Sequence, residues 1–178
     1  RIHPPTHRKA AALRRARELG ARTVSTALLG EGLPARTRAQ AVAEGALLGS
    51  YSFDRYKREK SDRVVDTLSV VEPDRRNHAA IVEGLRLGEI FAGATCFARD
   101  LVNEPANLVN PPYLAQTAVE IARAGKLKLT VYDRPECEKM GMGAFLGVGQ
   151  GSQSPPKFIH LVYVPRGRSR RKITIVGK

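Results

Sequence analysis

Two proline-containing turns lie within ten residues of each other, and they constrain the fold of this chain more than any other feature. The turns cover residues 103–105 and 110–112. A proline at position 105 disfavours the α conformation at Glu104, so a helix arriving from upstream is predicted to end there. Asn110 suits a helix N-cap, and Pro111 suits a first helical turn, where no amide hydrogen is needed. The segment therefore predicts the end of one helix, a short connection and the start of another.

The helix that ends at the first turn is predicted to be the longest in the chain. Residues 76–102 contain no proline and carry apolar side chains at helical spacing, from Ile81 to Leu101. Glycine in a helix costs about 1 kcal/mol relative to alanine. We therefore expect Gly84, Gly88 and Gly93 to mark places where another backbone approaches closely. We interpret this helix as a connector between two domains.

The remaining segments alternate between helical and strand patterns. Further helices are predicted at residues 6–19, 37–49, 111–124 (ended by Gly125) and 135–140. Strands are predicted at residues 23–29, 64–71, 127–131, 158–164 and 173–176, the last two forming a hairpin or a sheet edge. This order of elements predicts an α/β protein.

The formal net charge of +13 indicates an affinity for anionic surfaces. The basic residues are scattered and aromatic residues make up only 6% of the chain, so no platform for stacking bases is evident. No apolar run approaches the roughly 18 residues of a membrane span, and we expect no membrane partner. Nonspecific nucleic-acid binding remains an alternative function.

The two cysteines favour a reduced, cytoplasmic protein. Cys96 and Cys137 are too far apart for a Cys-x-x-Cys metal or redox motif, and two cysteines are too few for a disulfide scaffold. Cys96 lies in the predicted long helix, where we expect it to act as a small core residue.

From the residues alone, no catalytic or cofactor-binding site can be assembled. The glycine-rich run at 141–152 lacks the spacing of a dinucleotide- or phosphate-binding loop, so tight turning and close packing are its expected use. Neither a G-x-S-x-G nor an H-E-x-x-H motif is present. His3 and His7 are four residues apart, but the prolines between them disrupt a shared helical face, so no metal site is expected there. His78 and His160 have no clustered acidic or cysteine partners, which favours structural roles.

Several segments nevertheless resemble one enzyme family in the same order along the chain. The residues R-D-L-V-N-E-P-A-N from Arg99 are similar to a segment of the leucyl aminopeptidases (cytosol aminopeptidases). Residues 41–57 resemble the end of that family's N-terminal domain, and residues 132–161 resemble the opening of its peptidase domain. The resemblance implies that residues 1–73 are the C-terminal part of an N-terminal α/β domain. Residues 74–103 would be the connecting helix, and 104–178 a truncated start of the catalytic domain.

The resemblance implies a two-metal exopeptidase that releases N-terminal residues, leucine among them, from peptides. Manganese and zinc both fit the two divalent ions of that family, and its members assemble as homohexamers. Residues 172–178 resemble the strand that delivers the first metal ligand, which makes Lys178 the candidate ligand. Its amine must lose a proton to bind, because an ammonium has no lone pair.

The rest of the family's active site is expected to lie beyond Lys178. Its aspartate and glutamate ligands, second lysine and arginine follow this position, so we predict no catalytic residue within the chain. These 178 residues are therefore expected to be an internal piece of such an enzyme. Alone, they are expected to bind no metal stably and to lack peptidase activity.

Two alternative functions remain open. A basic nucleic-acid-binding module would bind with steep salt dependence and no metal requirement. A purely structural domain would melt cooperatively and take up no metal.

Overall fold

A computed structural model describes residues 4–59, 63–167 and 171–177, with the side chains of the first helix described from Lys9 onward. The chain divides into two compact units, Arg1–Asn103 and Glu104–Lys178. Each unit has its own helices and its own two-stranded sheet. The predicted α/β class is confirmed.

The sheet of the first unit is parallel. Strand β1 (Thr23–Ala27) pairs with β2 (Thr67–Val71), with Thr23 opposite Thr67. Parallel strands cannot be joined by a tight hairpin. The chain between them passes through helix α2 (Ala35–Ser50) and so forms a β-α-β unit.

Small side chains form the core of the first unit. Helix α2 packs against both α1 (Pro4–Glu18) and α3 (His78–Asn103), and a single 3₁₀ turn (Arg75–Asn77) precedes α3. Alanines dominate the buried side chains, which lets the helix axes approach closely. The buried apolar residues of these three helices are Leu13, Ala39, Ala41, Val42, Ala43, Ala46, Ile81 and Ala92.

Two of the three glycines of α3 lie where the backbone of α2 comes close, as predicted. A Cβ atom built on Gly88 would lie 2.6 Å from the Cβ of Ala43 and 2.7 Å from the carbonyl oxygen of Gln40. Gly84 faces α2 in the same way. The prediction is wrong for Gly93, where a Cβ atom would meet nothing within 4 Å among the described residues.

The second unit contains an antiparallel pair of strands and three helices. Strand β3 (Lys128–Tyr132) pairs with β4 (Phe158–Val162), with Tyr132 opposite Phe158. Helix α4 (Pro111–Gly125) contacts both strands. The other two helices are short: α5 (Arg134–Lys139) and α6 (Gly143–Gly149).

The predicted helix boundaries around the two turns are confirmed. Helix α3 ends at Asn103, and the Asn110 side chain caps α4 by accepting a hydrogen bond of 3.1 Å from the Tyr113 amide. The predicted end of α4 is one residue off. Gly125 is still helical, and Lys126 adopts the left-handed conformation at φ 52°, with its amide donating to the Ala122 carbonyl oxygen.

The strand predicted at residues 173–176 is wrong. Residues 171–177 have no regular secondary structure and are strongly exposed, and Ile175 is 92% exposed. A strand exists only through hydrogen bonds to a neighbour. Within the described part of the chain, neither two-stranded sheet extends to this segment. The apolar alternation of this segment therefore does not correspond to a paired strand among the described residues.

Two expectations about packing also need correction. Part of the glycine-rich run forms α6, and a Cβ atom at Gly143 or Gly147 would meet no described atom within 4 Å, so close packing does not explain these two glycines. The expected tight turn is present at Gly141, which has a φ of 69°. Cys96 is only half-buried in α3, whereas Cys137 on α5 is fully buried. Over the described residues, none of the helices combines the length and apolarity that a membrane span requires.

Candidate functional site

The polar side chains of the R-D-L-V-N segment gather around a tyrosine that directly follows α2. Tyr51 directly follows α2, where its extended backbone ends the helix. Its hydroxyl donates a hydrogen bond to Oδ1 of Asp100 at 2.7 Å. It also accepts one from Nδ2 of Asn103 at 3.0 Å. We call Tyr51, Arg99, Asp100 and Asn103 the Tyr51 cluster.

Arg99 completes the cluster from above the ring. Its guanidinium carbon lies 5.4 Å from the centroid of the Tyr51 ring, within the range of a cation–π interaction. Its Nη1 donates to the carbonyl oxygen of Leu48 at 3.3 Å, which is one of the orphan carbonyls in the last turn of α2. Arg99 therefore binds both the ring and the helix end next to it.

Helical spacing explains why these three side chains converge. Arg99 and Asn103 are four residues apart, and Asp100 and Asn103 are three apart, so they share one side of the last turn of α3. The end of α2 lies beside this turn. One phenol can thus meet a carboxylate and an amide at once.

The environment keeps the phenol protonated. Burial raises the pKa of Tyr51 above its ordinary value, and the hydrogen bond to the Asp100 carboxylate raises that pKa further. A protonated phenol can donate to Asp100 while accepting from Asn103. The cluster is therefore a complete hydrogen-bond network at neutral pH.

A second polar cluster stabilises the start of α5 in the second unit. The Asp133 carboxylate and the Glu136 side chain form a reciprocal capping box. The Lys157 ammonium lies 2.5 Å from Oδ1 of Asp133. Next to it, Phe158 packs against Tyr132 and, edge-to-face, against Phe145. These contacts tie the helix to the sheet and leave no open cation site at the carboxylate.

The candidate metal ligand, Lys178, lies outside the described residues. Within 4–59, 63–167 and 171–177, no group of three or more histidine, cysteine, aspartate or glutamate side chains could hold a metal ion. His78 stands at the start of α3 with Nε2 2.9 Å from the Glu72 carbonyl oxygen, and His160 lies on β4 opposite Thr130. His3 and the side chain of His7 also lie outside the described part.

Two residues with polar contacts to distant segments were not predicted from the sequence. Tyr51 was part of a segment with family resemblance, but its partners are 48 to 52 residues away along the chain and no local pattern predicts them. Lys9 is only 8% exposed, and its ammonium donates to the Thr26 hydroxyl and, at 3.1 Å, to the Ala27 carbonyl oxygen. Burial lowers the pKa of Lys9. This lysine ties α1 to the end of β1.

Comparison with known sequences matches two segments of this chain to two domains of the same family. The profile described as "Cytosol aminopeptidase family, N-terminal domain" matches residues 6–60, and "Cytosol aminopeptidase family, catalytic domain" matches residues 96–178. A "Probable cytosol aminopeptidase" from Aquifex aeolicus is 45% identical over 139 residues, or 78% of this chain. A protein of the same description from Geobacter sp. (strain M21) is 43% identical over 158 residues, or 86% of the chain. The chain spans only 27% and 31% of the length of these two relatives.

Solved structures of similar fold agree with the sequence matches. "Bottromycin maturation enzyme BotP in complex with Mn" is 38% identical with a TM-score of 0.74, covering 91% of this chain and 33% of that one. A tomato leucine aminopeptidase mutant is 29% identical with a TM-score of 0.83, covering 93% of this chain and 34% of that one.

Proposed function

Because the chain belongs to the cytosol aminopeptidase family, we propose that its protein is a metal-dependent aminopeptidase that releases N-terminal amino acids, leucine among them, from peptides. The observation that carries this proposal is the match to both domains of the family, in order, at residues 6–60 and 96–178. The chain spans about a third or less of its relatives, so the activity is proposed for the whole protein.

Lys178 is the proposed metal ligand within this chain. It ends the catalytic-domain match, directly after the exposed segment 171–177. The amine binds only in its neutral form, so ligation would require its pKa to be strongly lowered by the ion. Two divalent ions, manganese or zinc, are proposed, and the manganese complex of the similar BotP structure supports manganese. When bound, such ions supply Lewis acidity and an activated water.

The donor set within these residues is too small for two ions. A divalent zinc site commonly has three or four protein ligands, and one lysine cannot provide them. We therefore propose that the remaining ligands come from other residues of the whole protein. The 178 residues alone are proposed to bind no metal stably and to hydrolyse no leucine anilide.

Replacement of the lysine tests the proposed site. In the intact protein, Lys178→Ala is expected to lower both the bound manganese or zinc, measured by elemental analysis, and the hydrolysis of leucine p-nitroanilide. The matched control is Lys172→Ala, which removes the same side chain six residues earlier in the exposed segment and is expected to change neither. Full metal content and full activity in Lys178→Ala would remove Lys178 from the site.

Oligomeric state and location complete the proposal. A homohexamer in the cytoplasm is proposed from the family membership. Sedimentation of the intact protein is expected to give a hexamer, and a monomer would contradict it. Separately, fractionation of cells is expected to recover the intact protein with cytoplasmic markers.

The net charge of +13 favours one second candidate, nonspecific nucleic-acid binding. Several basic side chains are already paired with acids, including Arg22 with Asp66 and Arg134 with Glu138. Binding of DNA that weakens steeply with salt and needs no metal would support this function. Absence of binding at low salt would exclude it.

A further inference from the structure

We propose that Tyr51 is a positioning residue whose hydroxyl locks the last turn of α3 to the end of α2. This role is separate from the proposed peptidase activity. It concerns contacts within the first unit, and it holds whether or not the protein turns over peptides.

The Tyr51 cluster joins the two segments that match different domains of the family. Tyr51 lies within the N-terminal domain match, whereas Arg99, Asp100 and Asn103 lie within the catalytic domain match. The compact first unit nevertheless extends to Asn103. Residues 96–103 are therefore built into the same unit as the N-terminal match, and the cluster is where their polar side chains attach.

The position of the cluster along α3 shows why such a lock is needed. The buried residues of α3 are Ile81, Gly84, Gly88 and Ala92. Beyond Ala92, all residues up to Asn103 are exposed or half-buried. Helix ends with little buried surface open readily. In this part of α3, the Tyr51 cluster supplies hydrogen bonds and a ring contact to the end of α2.

The hydroxyl makes a contribution that can be separated from that of the ring. In Tyr51→Phe, the ring stays beside Arg99, and the Arg99 bond to the Leu48 carbonyl oxygen is unaffected. Only the hydrogen bonds with Asp100 and Asn103 are lost. Since both partners can then be solvated, the fold is expected to survive and only the last turn of α3 to loosen.

Hydrogen exchange read by mass spectrometry tests this in the intact protein. In Tyr51→Phe, amides of residues 100–103 are expected to exchange about 3- to 10-fold faster, the range that corresponds to the loss of one or two solvent-accessible hydrogen bonds. Amides of residues 84–92 are expected to keep their wild-type rates. The matched control is Tyr163→Phe, which removes the same hydroxyl from a side chain that is 71% exposed. Unchanged exchange at 100–103, or equal acceleration in both variants, would refute the lock.

Substitutions of Asp100 distinguish a lock from a general loss of stability. Asp100→Asn keeps an oxygen that can accept from the phenol, so exchange close to wild type is expected. Asp100→Ala removes one of the two hydrogen bonds of the phenol and is expected to give part of the acceleration seen in Tyr51→Phe. The double variant Tyr51→Phe/Asp100→Ala is expected to exchange no faster than Tyr51→Phe, because that single change already removes the bond to Asp100. Fully additive effects would show that the two residues act separately. Amide hydrogen exchange is measured without a peptide substrate. A negative result for the Tyr51 contact is therefore distinguishable from a negative result for the proposed peptidase activity.

Discussion

A Cβ atom added to Gly84 would lie 2.2 Å from the carbonyl oxygen of Arg36. This distance is far below van der Waals contact, and the obstacle is backbone that cannot rotate away. Gly84→Ala must therefore push α3 away from α2. We expect a loss of about 1–3 kcal/mol in the free energy of unfolding, as for other overpacked cores, measured by urea denaturation of the intact protein.

Gly93 provides the matched control on the same helix. A Cβ atom there meets nothing within 4 Å among the described residues. Gly93→Ala is expected to be neutral or to stabilise by up to about 1 kcal/mol, through helix propensity alone. Equal destabilisation by the two substitutions would show that α2 and α3 do not pack closely at Gly84.

The Asn110 cap is expected to contribute measurably to the stability of the second unit. Asn110→Ala removes the acceptor for the Tyr113 amide and is expected to cost about 1 kcal/mol. Asn110→Asp keeps an acceptor oxygen and is expected to stay near wild type. Asn107 is an exposed asparagine in the same connection between α3 and α4, and Asn107→Ala controls for the loss of an asparagine side chain that caps no helix. Thermal unfolding midpoints of the wild type and the three variants check this order of stability. A wild-type midpoint for Asn110→Ala would contradict a stabilising role of the cap.

The two cysteines are expected to differ sharply in accessibility. Cys137 is fully buried, whereas Cys96 is half-buried. A thiol reagent should modify Cys96 first in the native protein and reach Cys137 only through opening of the second unit. Peptide mass mapping over time gives the two rates, and both should become similar in denaturant. Equal rates under native conditions would contradict the burial of Cys137.

Alkaline pH is expected to weaken the Tyr51 cluster. Burial raises the pKa of Tyr51, and its bond to Asp100 raises it further. The folded protein therefore holds the phenol proton more tightly than the unfolded chain. The resulting stability is complete below the unfolded pKa of about 10 and is lost as the pH rises through the higher folded value.

Ultraviolet titration of the intact protein checks that the pKa of Tyr51 is raised. The wild type should contain a late-ionising phenol that is missing from Tyr51→Phe and retained in Tyr163→Phe. The charged or titratable groups that act on this phenol are Asp100, Arg99 and Cys96. Ionisation of Tyr51 at or below its ordinary pKa would contradict the network.

Features of this fold that depend on neighbouring residues can be predicted from the sequence. The end of α3 and the Asn110 cap depend on prolines and an asparagine within a few residues, so they were predicted correctly. The end of α4, predicted at Gly125, lies one residue later, and Lys126 adopts the left-handed conformation. That conformation costs roughly 1–2 kcal/mol for a residue with a Cβ, and such a cost can be overridden by the surrounding contacts.

Features that depend on contacts between residues far apart in the chain could not be predicted from the sequence. The spacing of Arg99, Asp100 and Asn103 predicts that they share a side of α3, but not that a phenol from the end of α2 meets them. Residues 173–176 alternate like a strand, yet the described residues pair no strand with them. The metal ligand Lys178 was proposed from resemblance alone and stays a proposal.

The parallel pairing of β1 with β2 also sets an order of events for the newly made chain. Thr23 and Thr67 meet only after the whole crossover through α2 has closed. Helical turns form within about a microsecond, whereas distant pairings wait for loop closure. The first unit is therefore expected to form its helices before its sheet. Until synthesis passes Val71, β1 lacks the parallel partner that it has among the described residues, and an unpaired strand edge is a template for wrong pairing.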